Sequence, residues 1–151
     1  MLAGIEQEYY VRGPDGEVDF RDLIHSLRLP GLRIDPGDSN AYRCFAGFAI
    51  TADETEAEVA TPPVAVEPGF AVELERWNQA GRGAIERRLP RGLTLAGAST
   101  HINVSVPEGL EPEVVVALVR TLAPALMLTW EPREAVGLFV RPRPGRVEFC
   151  G

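Results

Sequence analysis

Four short stretches carry residues whose types and spacing could do chemistry together. Near the start, Glu6 and Glu8 stand two apart in Gly4-Ile5-Glu6-Gln7-Glu8. Residues two apart on a strand share a face at about 7 Å, so in a closed cleft these carboxylates repel unless a cation sits between them. They are either a wet surface or a metal site. Next, Asp53-Glu54-Thr55-Glu56-Ala57-Glu58-Val59-Ala60-Thr61-Pro62-Pro63 gathers acidic groups ahead of a double proline. Glu54, Glu56 and Glu58 alternate onto one strand face, and Asp53 falls on the other unless a bulge or turn intervenes. The plain alternative is an acidic edge strand, charged against aggregation. Third, over residues 96–106, His101, Asn103 and Ser105 alternate with Thr100, Ile102, Val104 and Val106. One face of that strand can bury itself, and the other projects an imidazole, a carboxamide and a hydroxyl side by side. Last, the tail holds Arg141, Arg143, Arg146 and Glu148, with Arg146 and Glu148 on one face.

These groups need elements to hold them. Residues 5–11 read as a strand, and Gly13-Pro14-Asp15-Gly16 is a turn that closes a hairpin onto residues 17–20. Phe20, Leu23, Ile24 and Leu27 have helical spacing over residues 20–29, stopped by Pro30-Gly31, with His25 an exposed residue of that short helix. Residues 32–40 read as a loop around Pro36-Gly37, and a β-rich stretch follows over residues 42–61. Residues 69–89 form an amphipathic helix that Gly81 and Gly83 weaken and could split. Glu111-Pro112 starts a helix that runs to about residue 128 with a kink at Pro124, and its nearly all-apolar sequence is expected to form the core. Residues 136–150 read as interrupted strand, and the sequence stops at Gly151 as though an element continued, which suggests a truncated chain or half of a split protein.

Composition narrows the chemistry. The 151 residues, 45% hydrophobic and 25% charged, fit a single globular domain over 1–151, without repeats or a domain linker. A formal charge of −7 argues against a nucleic-acid partner held through phosphates. Every basic residue is Arg; with no Lys in the chain, a catalytic lysine is excluded and phosphate falls to Arg, backbone N–H groups or metal. Cys44 and Cys150 are too few for a disulfide framework, which fits reduced thiols in a cytoplasmic protein. The apolar run over residues 114–130 is broken by Arg120 and Pro124, and no membrane partner is expected. A P-loop, a Rossmann fingerprint and a Gly-x-Ser-x-Gly turn are all absent from the sequence.

In order and relative position, the Glu6/Glu8 motif, the Asp53 to Thr61-Pro62 stretch and the Gly97 to Ser105 stretch resemble the carboxylate-amine ligases. The branch they resemble is the glutamate-cysteine ligase and amidoligase branch of the glutamine synthetase superfamily. The likeness covers most of the chain up to about Val106. It implies an α+β fold, a curved, mainly antiparallel sheet with helices packed on one face, whose concave face binds ATP through magnesium ions. It carries metal-ligand roles onto Glu6, Glu8 and Glu58, with Asp53 a further ligand. His101 matches the motif histidine beside metal and phosphates, with Asn103 and Ser105 on the nucleotide side. Arg146 and Glu148 match a later Arg and metal-binding Glu, and Arg141 and Arg143 join Arg146 in stabilising transition-state charge. The implied activity is ATP-dependent formation of an amide or isopeptide bond through an acyl phosphate, from small-molecule carboxylate and amine substrates. The alternative is a catalytically silent ligase-like domain that binds or completes a second polypeptide, or assembles as a homo-oligomer.

Overall fold

A computed structural model describes residues 1–129 and 139–151. Its ten strands form one sheet in which every pairing among the described residues is antiparallel, so the protein is α+β with an open antiparallel sheet. The strands are β1 (Leu2–Gly13), β2 (Gly16–Val18), β3 (Arg33–Asp35), β4 (Asp38–Arg43), β5 (Ala49–Asp53), β6 (Glu56–Ala60), β7 (Val64–Ala65), β8 (Thr94–Ser105), β9 (Phe139–Arg143) and β10 (Arg146–Cys150). The helices are α1 (Arg21–Ile24), α2 (Phe70–Glu86), α3 (Glu111–Thr121) and α4 (Ala123–Thr129). The sheet runs β3-β4-β5-β6-β1-β8-β10-β9. β1 is the hinge of the arrangement: β8 lies along one side, and β7, β6 and β2 pair in succession along the other.

The two faces of the sheet differ in chemistry because strand side chains alternate. On one, Tyr9, Val11, Ile50, Ala52, Ala57 and Val59 are buried against Phe20, Ile24 and Ile85, under α1 and α2. The other carries the polar sets of β1, β5, β6, β8 and β10. Gly81 lies in the unbroken α2 where the helix meets the sheet. A Cβ there would collide with Val59 Cγ1 and lie 2.8 Å from Phe48 Cζ. Gly81 therefore permits close packing where its sequence position suggested a break. Gly81→Ala gains helix propensity of about 1 kcal/mol, but overpacking against a β-branched side chain costs more. The expected net loss is on the order of 1–2 kcal/mol, a drop of several degrees in a thermal melt, and an unchanged melt would contradict the packing.

Several sequence expectations are corrected. Residues 32–40 are not a loop: β3 and β4 form a hairpin about Pro36-Gly37, where Asp35 Oδ1 accepts a hydrogen bond from Gly37 N at 2.8 Å. The helix expected over residues 20–29 closes after α1: Ser26 N donates to Leu23 O at 2.8 Å and Leu27 N to Ile24 O at 3.4 Å in i→i−3 turns, and Arg28 takes a left-handed φ of 47° two residues before Pro30. β6 lies between β5 and β1, so it is no acidic edge strand. Glu54 sits in the β5–β6 turn with φ 47°, off the face shared by Glu56 and Glu58. The helix from Glu111 is broken at Leu122 into α3 and α4, and α3 is not the core: Val116 and Val119 are exposed, and Glu111 is its buried residue. Apolar burial is supplied instead by α1 and α2. The strand read over residues 136–150 begins, within the described residues, at Phe139; residues 136–138 lie outside them.

Two features fix the strands that matter for the polar face. Gln7 pairs with Thr100 and Tyr9 with Gly97, so Glu8 alone opposes Ala98 and Ser99 in a β-bulge. Glu111, at the start of α3, accepts from Gly109 N at 2.7 Å and from Gly145 N at 2.8 Å, tying that helix to the β9–β10 turn. These N–H donors hold the Glu111 carboxyl below its ordinary value, with the Gly145 bond foremost. No helix among the described residues is long and apolar enough to cross a membrane.

Candidate metal centre

Directly paired residues in an antiparallel ladder point to the same side, and the register assembles the site. Glu6 pairs with His101, which also pairs with Cys150; Glu8 pairs with Glu58, and Glu58 with Thr51. Asp53 pairs with Glu56, which places Asp53 on the face of Glu58. The β5–β6 turn thus resolves the register that alternation alone left open. Glu148 pairs with both Asn103 and Arg141.

The carboxylate oxygens of Glu8, Asp53 and Glu58 lie within 4.8 Å of one another. Three negative charges so close are costly unless a proton or cation intervenes. Burial, reinforced by Glu6, Asp53 and Glu8 and opposed by Arg43, pushes the Glu58 carboxyl up to about 7. Beside this trio, His101 contacts Glu8 of the trio and two further carboxylates, Glu6 and Glu148. Its Nδ1 is 3.6 Å from Glu6 Oε2 and 3.7 Å from Glu148 Oε1, and its Nε2 is 3.8 Å from Glu8 Oε1. The Glu148 side chain is only 5% exposed. Its charge is compensated at Oε2 by Arg141 Nε at 2.9 Å and Arg143 Nε at 3.3 Å. Its Oε1 is left facing His101.

The sequence-derived residues separate into two groups. Glu6, Glu8, Asp53, Glu58, Glu148 and His101 come together, with Arg141 and Arg143 acting on Glu148. Asn103, Ser105 and Arg146 instead line an adjacent cavity of about 360 Å³, together with Glu6 and Arg43. Arg146 is exposed and forms none of the ion pairs found among the described residues. Ser105 Oγ accepts a hydrogen bond from Leu2 N at 2.7 Å, so it is occupied in bracing β1. Asn103 Oδ1 is buried without a hydrogen-bond donor among the described residues.

Sequence reasoning passed over three participants. Ser99 Oγ donates to Glu8 Oε2 and lies 3.3 Å from His101 Nε2. Cys150 is buried, accepts from Arg141 Nη2 at 2.9 Å, and places its sulfur within 4.8 Å of ligand atoms of His101 and Glu148. Burial pushes the Cys150 thiol up, and the Arg141 hydrogen bond opposes that shift. Arg43 reaches the polar face from β4. The period of two held the signal for the first two, since Ser99 precedes His101 by two and Cys150 follows Glu148 by two.

The donor set is mostly hard oxygen, converging from several strands, which suits a hard divalent cation such as magnesium. No protein-family model matches the chain, and no curated protein matches it at a significant level.

Proposed function

We propose that the protein is an ATP- and magnesium-dependent carboxylate-amine ligase, forming an amide or isopeptide bond through an acyl phosphate. The observation that carries this reading is the gathering of Glu6, Glu8, Asp53, Glu58 and Glu148 around His101 on one sheet face, with arginines at its border. That is the residue set which the resemblance to the glutamate-cysteine ligase and amidoligase branch assigns to metal and phosphate.

Glu6, Glu8, Asp53, Glu58 and Glu148 would hold magnesium, which would supply positive charge to neutralise phosphate. The chain's own groups then position and compensate charge. Arg141 and Arg143 hold Glu148 by one oxygen and so orient the other. Ser99 does the same for Glu8. Arg43 and Arg146 flank the adjacent cavity, where guanidinium groups suit the triphosphate and the charge developed during transfer. In the first step a substrate carboxylate oxygen bonds to the γ-phosphorus and the bond to ADP breaks. In the second, an amine bonds to the acyl carbon, inorganic phosphate leaves, and the amine loses a proton. Asn103 Oδ1 is a buried acceptor with no donor among the described residues. The free thiols of Cys44 and Cys150 fit a reducing compartment, and we place the protein in the cytoplasm.

The test is calorimetric titration with an unreactive ATP analogue, with and without magnesium. Binding is expected only with magnesium, and His101→Ala is expected to weaken it by about tenfold or more. Absence of binding in a folded sample would overturn the reading and favour a silent domain that works with a second polypeptide.

A further inference from the structure

The side chains around His101 have a polarity that magnesium ligation alone does not use. Ser99 Oγ commits its proton to Glu8 Oε2, so the lone pair that it offers His101 Nε2 at 3.3 Å can be met only by an Nε2–H donor. In the neutral imidazole the other nitrogen, Nδ1, is then the unprotonated one. Nδ1 makes no hydrogen bond among the described residues; it faces Glu6 Oε2 at 3.6 Å and Glu148 Oε1 at 3.7 Å. A lone pair aimed at two carboxylate oxygens is repulsive unless a proton on Nδ1 or a cation lies between them. The separations are those between ligand atoms about a common tetrahedral ion, roughly 3.3–3.8 Å for bond lengths near 2.0–2.3 Å.

The third side of this pocket is sulfur. Cys150 Sγ joins His101 and Glu148 in one group whose ligand atoms lie within 4.8 Å of one another. Cys150 is the direct cross-strand partner of His101, so the sheet register itself sets the thiol beside the imidazole. Thiolate and imidazole select borderline-soft transition cations over magnesium. The second shell is also in place. Arg141 donates to Cys150 Sγ at 2.9 Å and holds Glu148 Oε2, while His101 Nε2 is braced through Ser99 onto Glu8. Metal-bound histidines typically donate their other ring N–H to an oxygen acceptor, a carboxylate, carbonyl or water, and Ser99 Oγ stands in that place here.

We propose that His101 Nδ1, Glu148 Oε1 and Cys150 Sγ form a site for one zinc-type divalent transition-metal ion. The ion displaces the thiol proton, which leaves to solvent, and bonds to sulfur, nitrogen and oxygen; the fourth position falls to Glu6 or water. The site shares His101 and Glu148 with the proposed magnesium cluster, but it stands without the ligase reading. If both hold, zinc displaces magnesium at this end of the cluster.

The test titrates the full chain, reduced and metal-free, with cobalt(II) as a spectroscopic substitute for zinc, and follows the near-ultraviolet thiolate-to-cobalt charge-transfer band. The band is expected in the wild type and in Cys44→Ser, lost in Cys150→Ser, and reversed by added zinc. Zinc affinity of Cys150→Ser, measured by competition with a chromogenic chelator, is expected to fall at least about tenfold. X-ray absorption on the zinc-loaded wild type needs no variant, and is expected to show one sulfur at roughly 2.3 Å beside nitrogen and oxygen. A saturated cobalt titration without the band, a band that survives in Cys150→Ser, or a sulfur-free shell would each overturn the proposal. None of these results alters the magnesium-dependent nucleotide titration, so the two readings fail separately.

Discussion

Glu8→Ala and Glu58→Ala are each expected to weaken magnesium-dependent binding of an unreactive ATP analogue by on the order of 100-fold, about 2.7 kcal/mol. These two carboxylates are direct cross-strand partners on β1 and β6, and with Asp53 their oxygens lie within 4.8 Å. Three carboxylates provide the charge density that offsets dehydration of a small hard cation. Removing one lowers that charge and opens a ligand position to water. Asp15→Ala, in the exposed β1–β2 turn, is the control and should bind as the wild type does. The measurement is calorimetry at fixed magnesium, with circular dichroism to verify folding. Unchanged binding in both variants would remove the basis of the ligase reading.

Without metal, Glu58 makes the fold less stable as pH rises. Its carboxyl is pushed up to about 7 in the folded chain, against 4.5 ordinarily, by burial first and then by Glu6, Asp53 and Glu8. Below about pH 4.5 the group is protonated in both states and adds no penalty. Between 4.5 and 7 the unfolded chain gives up this proton while the folded chain retains it, so stability falls with pH, and above 7 the loss is complete. The difference corresponds to at most about 3 kcal/mol, and partial solvent access reduces it to on the order of 2 kcal/mol. Glu58→Gln in a chelator-treated sample should therefore melt several degrees above the wild type at pH 8 and close to it at pH 4.5. Saturating magnesium should reverse the order at pH 8, because the cation binds the ionised wild-type carboxylate. Superimposed wild-type and Glu58→Gln melts at both pH values, without metal, would contradict the crowding described for this site.

The polar face was legible in the sequence to the extent that alternation reports it. Glu6 with Glu8, His101 with Asn103 and Ser105, and Arg146 with Glu148 each fall on one side of their strands, as a period of two requires. Which strands become neighbours is a property of the sheet, and nothing local in β10 announces that Cys150 will lie against His101. The β3–β4 hairpin escaped notice because its strands are short and largely exposed, so they lack the apolar alternation that marks a half-buried strand. The apolar sequence of α3 suggested a core helix, yet burial is decided by what a helix meets. α2, with its glycines, fits closely against β6 and the Phe48 ring, whereas Val116 and Val119 of α3 remain exposed.

The bulge opposite Glu8 has a consequence for how β8 divides its length. Counted by twos, Leu95 belongs with Ser99, His101 and Asn103, yet Leu95 is buried in the apolar core and His101 meets the carboxylates. The extra residue at Ala98-Ser99 acts as a half-wavelength delay, letting one continuous strand broadcast hydrophobicity in its first part and chemistry in its second, both in step with β1. Deleting Ala98 would remove the delay. The strand would then have to choose between withdrawing Leu95 from the core and turning the imidazole away from its acids. A one-residue deletion in a seemingly unremarkable Ala-Gly-Ala-Ser segment would uncouple folding from the site, although every carboxylate and His101 itself would still be present in the chain.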